Sequence, residues 1–223
     1  AAEGPFKKGG SASYLVNYRY SFTGVLALMG VDFGGETIKF QDLSFNVSLP
    51  ETPIGKVTLF GVNGWNSNVY RRPKGRPTVE KELSDIDYAS SIYAYGITQE
   101  ATLGGKNSWR NVLVYSSTTT ERDQITHELN DPSLTLSTKD NEQVAKLSFA
   151  SSVMTRWGDR ITSKAGVRGT AYQWGIDRFE WDSSNLTFNG IPQPDFNLDI
   201  KSLLLQPFVS GNFAIGSKVD LDL

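Results

Sequence analysis

Residues Ser13–Phe22 read SYLVNYRYSF. Tyr14, Val16, Tyr18, Tyr20 and Phe22 share one parity, and Leu15, Asn17, Arg19 and Ser21 share the other. A helix gathers residues three or four apart onto one face; a pleated strand gathers every second residue. The period here is two, and aromatic and β-branched side chains suit a pleated, half-buried surface. The stretch therefore reads as a strand.

The same alternation recurs along the chain. Ile38 and Phe40 share one parity, while Leu43, Phe45, Val47 and Leu49 share the opposite one, so a β-bulge or short turn is expected at Gln41-Asp42. Further strand candidates are 56–62, 91–97, 109–116, 134–137, 144–153, 167–176, 178–181, 185–188, 196–205, 208–215 and 218–223. Gly34-Gly35, Asn63-Gly64 and Asn189-Gly190 are hairpin-tip signals, and Gly104-Gly105, Asp131-Pro132 and Pro192–Pro194 break other runs. Two segments carry helical spacing. One is Val79, Leu83 and Ile86 behind Thr78; the other starts at the Thr118/Glu121 capping-box pair, with Ile125 and Leu129 on one face. Many short strands with frequent turns predict an all-β chain, an antiparallel β-sandwich or jelly roll with one or two short helices. With no long linker, residues 1–223 read as a single β-rich domain.

Composition narrows the chemistry. The 223 residues carry a net charge of −2, which offers no general attraction to nucleic acid. The absence of cysteine excludes disulfides and thiolate sites. With one histidine, His127, multi-histidine metal sites are excluded too, and neither cofactor nor metal is expected. Asp85, Asp87 and Asp140-Asn141-Glu142 lack EF-hand spacing and read as solvated turn acids. No apolar run approaches the roughly 20 residues of a spanning helix, so no membrane span is expected. A membrane β-barrel would need strands of about ten residues with an apolar outward face. The closing VDLDL alternates but carries two acids, which ranks that reading below a sandwich. The opening AAEGPFKKGG fits either a cleaved secretory signal before Ala1 or removal of an initiator methionine.

Candidate site residues cluster in WGIDRFEWDSSNLTFNGIP, Trp174–Pro192. Glu180 and Asp182, two apart on a strand, share one face and could serve as acid and base on a glycosidic bond, with Trp174 and Trp181 stacking on sugar rings. Glu-x-Asp resembles part of the catalytic strand of jelly-roll glucanases. That pattern needs a second glutamate shortly after the aspartate, and Ser183-Ser184-Asn185 follows here, so the activity is not carried over. The plainer reading puts Phe179 and Trp181 inward and leaves Arg178 and Glu180 as an exposed ion pair. In RRPKGRP, Arg71, Arg72 and Arg76 are candidate contacts for an acidic polysaccharide or an acidic neighbour. Asn46-Val-Ser48 and Asn185-Leu-Thr187 match the glycosylation acceptor pattern.

The leading expectation is a non-catalytic structural or surface protein that self-assembles as a homo-oligomer, by strand augmentation from the strand-like Gly10–Phe22 and Asn212–Leu223. A carbohydrate-binding module with a glycan partner comes second, and a glycan hydrolase or lyase third. The expected location is extracellular or at the cell surface, with virion or cytoplasm as the alternative.

Overall fold

The computed structural model describes residues 1–21, 23, 25–26, 29–31, 36–130, 135–182, 194–215 and 219–222. Ten strands follow in chain order. They are β1 (Ala2–Pro5), β2 (Ser13–Tyr20), β3 (Glu36–Thr52), β4 (Gly55–Tyr70), β5 (Ser84–Leu103), β6 (Asn107–His127), β7 (Thr135–Arg156), β8 (Ile161–Asp182), β9 (Pro194–Ile215) and β10 (Val219–Asp222). Each pairs antiparallel with its sequence neighbour, giving one sheet in the order β1 to β10. The all-β expectation holds, but the sandwich or jelly roll is corrected. Those folds need two facing sheets, and this is a single meander.

Neither expected helix forms as such. Thr118–His127 is extended within β6, and the Val79–Ile86 segment holds one 3-10 turn, Glu80–Leu83, before β5 begins. The run Thr118–Thr120 is β-branched, which favours the strand over helical spacing.

The strands are much longer than expected. Asn63-Gly64 is not a hairpin tip; it lies inside β4, paired with Tyr93 and Ile92. The described part of the candidate 134–137, from Thr135, and the candidate 144–153 belong to one strand, as do 196–205 and 208–215. No bulge occurs at Gln41-Asp42, since β3 pairs with β4 in unbroken register from Glu36 to Leu49. The change of parity between Phe40 and Leu43 is real, and a straight strand makes it. Its apolar side chains pass from one face of the sheet to the other. Gly34-Gly35, Asn189-Gly190 and the Asn185 acceptor lie outside the described residues.

The sheet has almost no interior of its own. Only Val57 and Tyr70 are buried hydrophobics among the described residues. The chain exposes 15494 Å², whereas a compact monomer of 24.6 kDa would expose about 10,000 Å². Leu203, Leu205 and Val209 are 77%, 66% and 80% exposed. Aliphatic surface at that density has to be covered by something other than this chain's own layers.

Two glycines fix how aromatic rings lie on the sheet. Gly96 stands opposite Phe60, and a Cβ there would come 2.7 Å from Phe60 Cε1. Gly61 stands between Phe45 and Tyr95, and a Cβ there would come 2.6 Å from Tyr95 Cδ1. In both places a ring folds flat across a strand because no side chain opposes it. Gly96→Val should therefore destabilise the sheet by about 1–3 kcal/mol. Adding Phe60→Ala should recover part of that loss, a non-additivity measurable as the shift in urea midpoint across the four-member cycle.

Candidate functional site

Register assigns every described side chain to one of two faces, and the two differ sharply over one stretch of the strands. On the first face, hydrogen-bonded rows run Val47–Leu59–Ile97–Leu113–Phe149–Gly169–Leu205 and Phe45–Gly61–Tyr95–Tyr115–Leu147–Ala171–Leu203. From Tyr93 to Leu103 on β5, Asn107 to Ser117 on β6, Ala145 to Thr155 on β7, Ile161 to Ala171 on β8 and Leu203 to Phe213 on β9, this face carries no Asp, Glu, Lys or Arg. Eleven residues of β5 run about 34 Å along the strand, or about 28–32 Å when projected at a tilt of roughly 20–35°.

Aromatic residues mark both margins of this band. Trp65, Tyr18, Tyr20, Tyr93 and Tyr115 stand at one margin, where the Tyr93 and Tyr115 rings lie 6.0 Å apart. Trp109 and Trp157 stand at the other, and their indole N–H groups donate to Ser151 and Ser163 at 3.0 and 2.8 Å. Each ring thus has an apolar body on the band and a polar tip satisfied at its rim.

The band slopes across the rows. The row through Tyr20 and Trp65 continues to Asp199 on β9, yet the apolar run of β9 starts at Leu203, four residues lower. A drop of four to six residues across six or seven strand spacings corresponds to strands tilted roughly 20–35° from the band normal.

The second face is polar at the same level. Lys56, Glu100, Arg110, Lys146, Lys164 and Arg168 all project there. The links between strands are also asymmetric. At the Trp109 end they hold seven, two, three, four and three residues after Pro5, Thr52, Leu103, Arg156 and Ile215. At the opposite end they hold 15, 13, seven and eleven residues after Tyr20, Tyr70, His127 and Asp182.

Beyond the band, the strands continue toward the long links with cross-strand ion pairs on both faces. Arg178 Nε lies 2.5 Å from Asp140 Oδ1, so its partner is across the strand rather than the expected Glu180. Lys139 pairs with Asp123 at 3.5 Å, and at the margin of the band Arg19 pairs with Asp42 at 2.9 Å.

The candidate residues are dispersed along this outer half. Glu180 is exposed on β8 opposite Thr138, and the backbone places Asp182 and Trp181 at the end of the same strand. Trp174 sits on the polar face and donates to Glu142 Oε1 at 2.9 Å. Arg71 binds both oxygens of Asp87 at 2.8 and 3.0 Å, the Arg72 backbone N–H donates to Asp85 at 2.9 Å, and Arg76 is exposed in the link. Asp85 and Asp87 are therefore strand residues that anchor the arginine-rich link, and His127 joins Asp85 at 3.5 Å. The apolar band is what the sequence reading missed. Its signal was present as the run of uncharged residues at every second position, visible only once the register is known.

No protein-family model and no curated protein matches this sequence. Among solved structures, the chain is similar in fold to the ferric yersiniabactin uptake receptor FyuA of Yersinia pestis, with a TM-score of 0.60 at 12% identity over 91% of this chain and 31% of that one. The translocator domain of the autotransporter NalP of Neisseria meningitidis aligns at a TM-score of 0.38 and 11% identity, over 89% of this chain and 69% of that one. This chain spans under a third of the receptor's length. No helix among the described residues is long and apolar enough to cross a membrane, as expected.

The link after β4 has its own pH response. The Thr78 backbone N–H and hydroxyl hold the Glu82 carboxylate at 2.5 and 3.1 Å and keep its pKa below the usual glutamate value. A lowered folded pKa adds stability above the unfolded value, and that stability is lost as pH falls through the folded one. Hydrogen exchange corrected for intrinsic rate should show Thr78 protected at neutral pH and unprotected below the carboxylate range. Glu82→Gln should expose it at all pH values.

Proposed function

We propose that this chain forms part of the wall of a membrane-embedded β-barrel at the cell surface, of the receptor type that takes up solutes. The apolar face meets lipid and the polar face meets the barrel lumen. The observation that carries this reading is the uncharged band: about 28–32 Å tall, bounded by aromatic residues, on one face of tilted antiparallel strands. Short links at one end and long links at the other support it, as such barrels combine short turns on one side with longer loops on the other.

Physical necessity points the same way. In a hydrocarbon layer every backbone N–H and C=O must be paired within the protein, and a closed sheet achieves this. The ten described strands leave edges at β1–β2 and β9–β10, and further strands would close them. The self-assembling subunit expected from sequence would fill the same edges with other copies. The fold likeness to FyuA favours closure into one barrel, with uptake as the associated role. On this reading the expected absence of a membrane span applies to helices alone. Trp174, Arg71, Arg72 and Arg76 belong to the mouth formed by the outer strand halves and long links.

The chain has no cysteine, so single cysteines report cleanly. After reconstitution, Leu113→Cys, Leu147→Cys and Leu205→Cys should resist a charged maleimide and react with a lipid-soluble one. Val112→Cys, Ser148→Cys and Gln206→Cys should react with the charged reagent. Equal labelling of both sets would overturn the assignment of faces. Independently, Phe149→Arg should cost about 2–4 kcal/mol of stability in a bilayer, and Ser148→Arg far less.

A further inference from the structure

The polar face carries an unbalanced charge at the level of the band. On β4 to β8, Lys56, Arg110, Lys146, Lys164 and Arg168 face a single acid of those strands, Glu100, and Arg110 occupies that acid at 3.3 Å. Lys56, Lys146, Lys164 and Arg168 have no carboxylate partner among the described residues. On the strands at the margin of the band and beyond it, Arg19, Arg178 and Lys139 each lie beside an aspartate, and Arg71 in the link after β4 does so too.

Around it the surface is shaped. A hollow of about 540 Å³ opens on this face near the short-link end, with Lys56, Glu100, Arg110, Ser152 and Lys164 in its lining. At its border Phe208 stands opposite Gly166, where a Cβ would come 2.8 Å from the ring. The ring thus lies across β8 between two cations, with Lys164 Nζ 5.8 Å and Arg168 Cζ 4.9 Å from its centroid. Contact with the ring face holds both cations near the sheet without neutralising them. A volume of this size matches a small-molecule site rather than a single inorganic ion.

We infer that this hollow is a binding site for a small multivalent organic oxyanion, a polycarboxylate. Lys164 and Lys56 supply charge beside the Arg110–Glu100 pair, Ser152 supplies a hydroxyl, and Arg168 beyond Phe208 offers the planar fork that suits a carboxylate. Its position inside a lumen rests on the barrel reading, but the binding itself does not.

The test is calorimetric titration of the full chain in zwitterionic detergent micelles with citrate, and with acetate and glucose as monovalent and neutral probes. Citrate should bind, acetate far more weakly and glucose not at all, with the citrate affinity falling as sodium chloride rises. Lys164→Gln and Arg168→Gln should each weaken citrate about tenfold. Lys164→Arg should retain binding, and Lys201→Gln, outside the hollow, should leave it unchanged. Circular dichroism of each variant establishes that the strands persist; a variant that loses them is replaced by Lys56→Gln, with the same expectation. No citrate binding at millimolar concentration, or binding indifferent to these variants, overturns the site. Citrate binding alongside failed lipid-face labelling would refute the barrel wall and leave the site standing, and the reverse pattern would refute the site alone.

Discussion

Each strand of this sheet carries two different faces at the same height, one uncharged and one charged, and the rest of the structure follows from that constraint. In a water-soluble β protein, one face is wet and the other is pressed against a second layer. Here no second layer exists among the described residues, and both faces are largely open. The side chains nevertheless divide strictly by parity, with charges excluded from one face over eleven residues of β5 and admitted on the other. Such a division has a physical cause only if the uncharged face rests on something as apolar as itself.

That constraint explains features that look unrelated. Tryptophans and tyrosines gather at two levels because they suit a boundary between an apolar phase and a polar one. The glycines opposite Phe60 and Phe208 let rings lie flat, which keeps the wall thin. The ion pairs of the outer half, exposed and individually worth little, occur where the uncharged band has ended.

The sequence displayed the strands locally but concealed their length. Alternation between Leu43 and Leu49, or between Val144 and Val153, is plain because these residues lie in or beside the band. Outside it, Ile38 and Phe40 on β3 and Ile86 and Tyr88 on β5 belong to the opposite face. A reader following parity sees the pattern break and infers a turn, although the backbone runs straight. Asn63-Gly64 deepened the error, since a dipeptide that favours tight turns sits in mid-strand with Ile92 packed 3.3 Å from where a Cβ of Gly64 would stand. The cationic hollow was invisible for a different reason. Lys56, Arg110 and Lys164 are spread over more than a hundred residues, and only the meander brings them together.

The strand halves beyond the band form a collar that stands clear of any apolar layer. On β5 to β8 this collar adds about ten residues per strand, roughly 30 Å of height. Its cohesion comes from backbone ladders and from opposite charges such as Arg178 and Asp140 in contact with water. Those attractions reach no further than the screening length, about 8 Å at physiological ionic strength. The collar is thus tuned by the saltiness of its surroundings in a way that the uncharged band, which has no such pairs on its face, is not.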